Sequence, residues 1–199
     1  MTVKEMTIKE IQDILGYKIK VVEETKKRLS EVAVGDTFKV GKFEFIVLEQ
    51  DEKNKKTKVL LKDLWTTAKF DDDTNDYKNS SVRYKLNDEF LNEIANEVGK
   101  NNIIPHWVDL TADDGKKEYD SCNDYISLLT CDMYRQYEDI IDKYMIDKWW
   151  WLATPYSTRD GYRCAFRCVY VGGALNGDVC NCDLGVRPFC IFNSNITVY

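Results

Sequence analysis

The sequence predicts an α+β fold in which a mostly antiparallel sheet carries flanking helices. Three observations lead there. Short apolar runs of strand length, bounded by Gly, Asn and Asp, recur from Val34 to the end of the chain. Helical spacing of apolar residues is confined to a few segments: Ile8 to Leu15, Val82 to Ile94, and Tyr134 to Ile141. The strand-like runs follow one another through short turns, without the alternating helices that a parallel sheet needs. At 199 residues the chain holds one ordinary domain, or one domain with a small extra module.

The elements can be justified in order. Thr7-Ile8-Lys9-Glu10 reads as a capping box, and Ile8, Ile11, Ile14 and Leu15 then share one helical face before Gly16 stops it. Tyr17 to Val22 alternates like a short strand, and the charged run Glu23 to Arg28 reads as a linker. Residues 1–30 are thus an expected helix-strand module ahead of a body at 31–199. Val34 to Val40 and Phe43 to Leu48, separated by Gly41-Lys42, predict a β-hairpin. A polar turn at Asp51 to Lys56 leads to a third strand at Thr57 to Leu61. Ser80 or Ser81 can cap a helix running through Leu86, Phe90 and Ile94 to Gly99. Ser127-Leu128-Leu129 reads as a short buried strand, Asp132 to Lys143 as a helix, and the chain from Trp149 onward as successive strands and hairpin loops.

Composition excludes several functions. A hydrophobic content of 44% with 31% charged residues suits a packed core and not disorder. No run approaches a membrane span, and Met1 to Glu5 lacks the layout of a signal peptide, so synthesis in the cytoplasm is expected. A net charge of −6 argues against nucleic-acid backbone binding. A single histidine, His106, leaves little room for His-based catalysis or metal binding.

The chain also changes character near residue 151. All 21 lysines, 13 glutamates, 3 glutamines, 4 methionines and 5 tryptophans precede residue 152. The stretch 152–199 nevertheless holds Arg159, Arg163, Arg167 and Arg187, and five of the seven cysteines. A β-rich tail explains the loss of Lys, Glu and Gln, which are depleted in strands. It explains neither the surviving arginines nor the clustered cysteines.

The individual chemical motifs are weak. Cys164-x3-Cys168 and Cys180-x-Cys182 miss the usual zinc-knuckle spacings, so no metal is expected. Seven cysteines, an odd number, with no export signal disfavour disulfides. Asp71-Asp72-Asp73-x-Asn75-Asp76 offers hard oxygen ligands of the kind Ca²⁺ takes, yet lacks the glycine and terminal glutamate of an EF-hand, and reads as a solvated loop. His106 beside Trp107 reads as a structural or surface position, and Trp149-Trp150-Trp151 as core in preference to a sugar platform. No P-loop, dinucleotide fingerprint or zinc-protease motif is present, and no cofactor is implied.

An ordered set of short motifs carries a resemblance. It comprises Val34-Gly35-Asp36-Thr37-Phe38, Phe43 to Leu48, Ser80-Ser81-Val82-Arg83-Tyr84-Lys85-Leu86-Asn87-Asp88-Glu89-Phe90, Leu128-Leu129-Thr130, Trp150 to Pro155, and Gly185-Val186-Arg187-Pro188-Phe189. Over roughly residues 31–199 the chain resembles an uncharacterised domain family of bacteria and phages, marked by S-x-x-R-x-x-L-N-x-x-F, W-W-L-R-S-P and G-V-R-P. That family is similar to the C-type-lectin-like fold of formylglycine-generating enzymes and to the variable proteins of diversity-generating retroelements. Here Ala153-Thr154-Pro155 replaces the R-S-P triplet, so an arginine of the pattern is missing. The active-site cysteine pair of the formylglycine-generating branch has no motif match, which leaves an oxidoreductase as the third reading.

The retroelement resemblance implies a reason for the composition. Mutating the adenines of AAC or AAT codons gives Arg, Cys, Tyr, Phe, Asp, Ser and Gly, but never Lys, Glu, Gln, Met or Trp. Residues 156–184 are then expected to be a diversified binding surface on a scaffold of Trp149 to Leu152, Gly172, Gly173, Gly177 and Gly185 to Pro188. Expected contact residues are Tyr156, Arg159, Asp160, Tyr162, Arg163, Cys164, Phe166, Arg167, Tyr170, Asp178, Cys180, Cys182 and Asp183. Arg187 is expected to be a buried structural arginine with paired donors. The resemblance implies a ligand-binding protein of phage or prophage origin without enzyme chemistry. Its partner would be a protein or cell-surface ligand, met from a virion; its first module could attach it to a particle or self-associate. The alternative is an intracellular protein that binds and inhibits a host enzyme.

Overall fold

The computed structural model describes residues 7–16 and 25–199. Helix α1 (Ile8–Leu15) is closed by the reciprocal Thr7–Glu10 capping box and by Gly16 in the left-handed conformation at φ 71°. The expected strand at Tyr17 to Val22 lies outside the described residues. The run read as a linker ends in structure: β1 (Lys27–Arg28) pairs antiparallel with β14 (Thr197–Val198), and Leu29 is buried. The last two residues of the expected linker thus pair with Thr197–Val198, a strand partner invisible from local sequence.

One five-stranded sheet has the order β2 (Thr37–Val40), β3 (Phe43–Asp51), β4 (Lys56–Leu61), β13 (Phe189–Asn193), β8 (Ile126–Ser127). The other runs β11 (Leu175–Val179), β10 (Ala165–Val169), β9 (Trp150–Pro155), β12 (Asp183–Val186), β5 (Thr66–Lys69). Pairings are antiparallel except β9 with β12. A small hairpin, β6 (His106–Asp109) with β7 (Ser121–Asp124), stands apart. The class is α+β with mostly antiparallel sheets. No helix among the described residues is long and apolar enough to cross a membrane.

The central strands β3 and β9 are buried on both faces. Phe45 and Val47 of β3 join Trp151 and Ala153 of β9 in one cluster, under Val82, Leu86, Phe90 and Ile94 of the helices. Their neighbours Ile46, Leu48, Trp150 and Leu152 enter a second cluster, beneath Tyr134, Tyr137 and Ile141 of α4 (Cys131–Ile141). Two-sided burial is why the runs Phe45 to Leu48 and Trp150 to Ala153 are continuously apolar instead of alternating.

The family-like motifs have concrete work in this architecture. Ser80 caps α2 (Ser81–Lys85), which passes through a π turn at Leu86–Phe90 into α3 (Leu91–Val98), ending at Gly99. Arg83 grips buried Asp124 with both Nε and Nη2, at 2.9 Å and 2.6 Å from Oδ1. Asn87 in the π turn donates to the Ile126 carbonyl at 2.8 Å and accepts from the Tyr125 and Ile126 amides, closing the free edge of β8. Gly185 is tightly enclosed: a Cβ there would lie 2.5 Å from Leu64 Cδ1, which would have to move, and 3.0 Å from the Trp149 carbonyl.

Arg187 is buried as expected, at 1% exposure. Nε donates to the Leu61 carbonyl at 2.9 Å, Nη2 to the Lys62 carbonyl at 2.8 Å, and the guanidinium lies 5.1 Å from the Trp150 ring centre. Burial pushes its pKa down to about 10, which still leaves it charged at neutral pH. Ala153, where the pattern expects an arginine, is completely buried, and Thr154 Oγ1 beside it accepts from the Cys131 amide at 2.8 Å.

Candidate aromatic and arginine recognition face

The loop 156–163 leaves β9 and returns into β10 over the loop 71–76. Its anchor is Asn75, which is fully buried. Asn75 Nδ2 lies 2.7 Å from the Ser157 carbonyl and 3.0 Å from each of the Tyr162 and Ala165 carbonyls. Its Oδ1 accepts from the Tyr119 hydroxyl at 2.7 Å, and its backbone amide donates to the Arg163 carbonyl at 2.6 Å. The acidic stretch read as a solvated loop thus contains the residue that shapes the neighbouring loop. Asp71 and Asp76 serve locally, accepting from the Ser81 and Lys78 amides. Among the described residues no three metal-ligating side chains come together.

On that frame Tyr156 and Tyr162 stack with ring centres 5.5 Å apart at 20°, and both present surface to solvent. The Arg167 guanidinium lies over the other part of this group, 4.4 Å from the Tyr156 centre, and pairs with Asp113 at 2.5 Å. Asp113 also pairs with Arg135 of α4 at 2.9 Å. Burial raises the Asp113 pKa, but Arg135 and Arg167 more than offset it, so the carboxylate is held below its ordinary range. Asp114 accepts from Ser157 Oγ at 2.8 Å, the leading reason its pKa is lowered, and Arg159 Nε lies 3.8 Å away. Arg163 and Asp160 pair with each other at 3.2 Å in full solvent exposure. Tyr156, Tyr162 and Arg167 therefore form one stacked group, with Arg159 near Asp114 and the Arg163–Asp160 pair on the same loop.

The other expected contact residues are distributed differently. Phe166 is buried, stacked on Phe70 and edge-on to Trp151, so it is core and not surface. Its inward direction follows from β10 alternation, since Arg167 faces out and Cys168 in. Cys180 is buried too and forms a disulfide with half-buried Cys164, Cα atoms 5.0 Å apart. This corrects the expectation against disulfides, and burial takes Cys180 off the surface. Tyr170, at the far end of β10, stacks flat on Trp149 at 3.8 Å and 4°. Asp178 turns back to accept from the Val179 amide at 2.7 Å; Cys182 is half-buried; Asp183 sits opposite Lys69 across β12 and β5.

Residues 54–194 match a family described as a domain of unknown function, DUF6273. The chain belongs to the DUF6273 family. No curated protein matches it, and no solved structure does. The matched span contains the whole face of this DUF6273 chain, from Asn75 to Asp183.

Four of the five unpaired cysteines of this DUF6273 domain, Cys122, Cys131, Cys168 and Cys190, are buried, and Cys182 is half-buried. Burial pushes the pKa of Cys131 up to about 11 and those of Cys122 and Cys168 to about 12, and holds Cys190 well above its ordinary value. His106 donates or accepts at 2.9 Å with Ser127 Oγ through Nε2 and sits edge-on to Phe189. Its burial drops the pKa to about 4, leaving a neutral structural imidazole. Sequence reasoning missed Asn75, Asp113 and Arg135 because each is recruited by residues far along the chain. Only the isolated Asn within an aspartate run hinted at the first.

Proposed function

We propose that this DUF6273 chain is a ligand-binding protein of phage or prophage origin, with a C-type-lectin-like body and a C-terminal surface diversified by a retroelement. The observation that carries this reading is a coincidence of two boundaries. The five residue types that adenine mutagenesis of Asn codons cannot produce vanish after Trp151, and the exposed aromatic and arginine face begins at Tyr156. Tyr156, Tyr162 and Arg167 make contact area at little entropic cost because they are already stacked and paired. Burial of the unpaired thiols Cys122, Cys131, Cys168 and Cys190 supports binding over a formylglycine-generating oxidoreductase. The Cys164–Cys180 disulfide favours display on a particle over inhibition of a host enzyme in reducing cytosol, where such bonds are rare. The exposed apolar residues Ile8, Ile14 and Leu15 of α1 support attachment or self-association through the first module.

The deciding experiment is deep sequencing of this gene across a population of its host or phage. Substitutions concentrated at 156–184 and biased to adenines, with Trp150, Gly185 and Arg187 constant, are expected. A gene equally quiet throughout refutes diversification. Co-purification with particles supports display, whereas a soluble one-to-one complex with a host protein supports the inhibitor instead.

A further inference from the structure

Beside the arginine face lies a cleft of about 440 Å³ between the β6–β7 hairpin and the first turn of α4. A second hollow of about 330 Å³ continues it on the other side of Trp107, Asp109 and Thr111. None of these residues belongs to the segment 156–184. Trp107 is 74% exposed, the largest such exposure among the big apolar side chains of the described residues, and alternation along β6 sets Asp109 on the same outward side.

The lining decides what this cleft can hold. Asp109 Oδ1 accepts from the Thr111 amide at 2.8 Å and its hydroxyl at 2.6 Å, which lowers the carboxyl pKa and keeps it ionised. Across both hollows the lining carries four carboxylates, Asp109, Asp113, Asp120 and Asp132, against Lys117 and Arg135. At the α4 terminus two amides are already taken, Met133 by Thr130 Oγ1 and Cys131 by Thr154 Oγ1, and the Asp132 carboxylate stands beside them against an anion. A planar cation, by contrast, meets an open indole face and a pre-oriented carboxylate together.

We propose that Trp107 and Asp109 form a subsite for an arginine side chain of a protein ligand, stacked on the indole and paired with the carboxylate. The subsite adjoins the arginine and tyrosine face through Asp113, which Arg135 holds on the cleft side and Arg167 on the other. A constant acidic and aromatic cleft would thus grip a recurrent basic feature of the ligand while the neighbouring face varies. Only the protein nature of the ligand rests on the binding-protein reading. The subsite itself is tested on the isolated chain, so its failure is separate from a failure of the sequencing test.

The probe is N-acetyl-arginine amide titrated into the full chain, followed by the Trp107 indole N–H resonance assigned with Trp107→Phe. A saturable shift with a dissociation constant on the order of 1–10 mM is expected, weakening as salt is added. Asp109→Asn, which keeps an oxygen for Thr111, should weaken it about tenfold, and Glu52→Gln, an exposed position in the turn between β3 and β4, should leave it unchanged. The proposal is overturned by no shift at roughly tenfold higher probe, by an equal shift from N-acetyl-glutamine amide, or by a response to methyl mannoside alone.

Discussion

Replacing Asn75 with alanine removes the one side chain that holds the 156–163 loop from beneath. Its amide supplies two N–H donors to three carbonyls, and its oxygen accepts from Tyr119. Not every partner is orphaned. The Tyr162 carbonyl keeps the Ala165 amide and the Ala165 carbonyl keeps the Tyr156 amide, so the buried Ser157 carbonyl is the one left unsatisfied. Three lost bonds at about 1 kcal/mol each, plus about 1–2 kcal/mol for the stranded carbonyl, give roughly 4–5 kcal/mol. For a chain of this size that is about 10–15 °C in Tm. Urea unfolding reads the stability, and amide exchange at residues 157–165 reads the loop, whose protection should fall more than that of β3. Asn75→Asp sharpens the test. A carboxylate there faces carbonyl oxygens and can only accept, so at neutral pH it should be worse than alanine. It should recover as acid protonates it and restores one donor. A loss below about 1 kcal/mol for Asn75→Ala, or an aspartate variant as stable as the parent at neutral pH, would refute the assignment of Asn75 as the loop's anchor.

Arg187→Met should cost about 3 kcal/mol in urea unfolding, because two charged bonds to the Leu61 and Lys62 carbonyls and the Trp150 contact disappear; unchanged stability would show the arginine to be dispensable. Cys164 and Cys180 close a loop of sequence separation 16, so the double serine variant should lose about 3 kcal/mol, and free-thiol titration of the parent under denaturing conditions should find both absent. His106 gives a pH signature. Its folded pKa, about 4, lies below the unfolded value near 6.5, so its contribution is intact above about pH 6.5 and is lost as pH falls toward 4. The full effect is at most about 3 kcal/mol, and His106→Gln should have a flatter stability profile across that window than the parent. Identical profiles would mean that the imidazole is hydrated and not buried.

Much of the fold was legible in the sequence because its signals are local. The Thr7–Glu10 box, the hairpin around Gly41-Lys42, the Ser80 cap with Gly99 beyond it, and the strand series after Trp149 each depend on neighbours within a few residues. Arg187 was legible as well, since an arginine between a close-packed glycine strand and a proline has few other uses. The candidate site was readable only in part. Composition and the family-like motifs directed attention to 156–184, and residue chemistry singled out its tyrosines and arginines. Orientation was not readable: Phe166 and Arg167 are neighbours, and only the register of β10 against β9 and β11 sends one into the core and the other onto Tyr156 and Asp113.

By itself, then, the sequence determined α1, the β2–β3 hairpin, β4, the helices from Ser81 to Val98 and at α4, the apolar runs that close the two clusters, and the change of composition after residue 151; it did not reveal β1, β5 or the β6–β7 hairpin. Tertiary structure alone decided that Lys27 and Arg28 pair with the chain end, that Cys164 meets Cys180, that Asn75 carries a loop more than eighty residues away, and that Asp113 joins Arg135 to Arg167. Caps, turns and alternation are set by short-range sterics and hydrogen bonds, so they leave a pattern along the chain. Contacts between distant residues depend on how the sheets are laid beside each other, and buried polar groups take whichever partner that packing delivers.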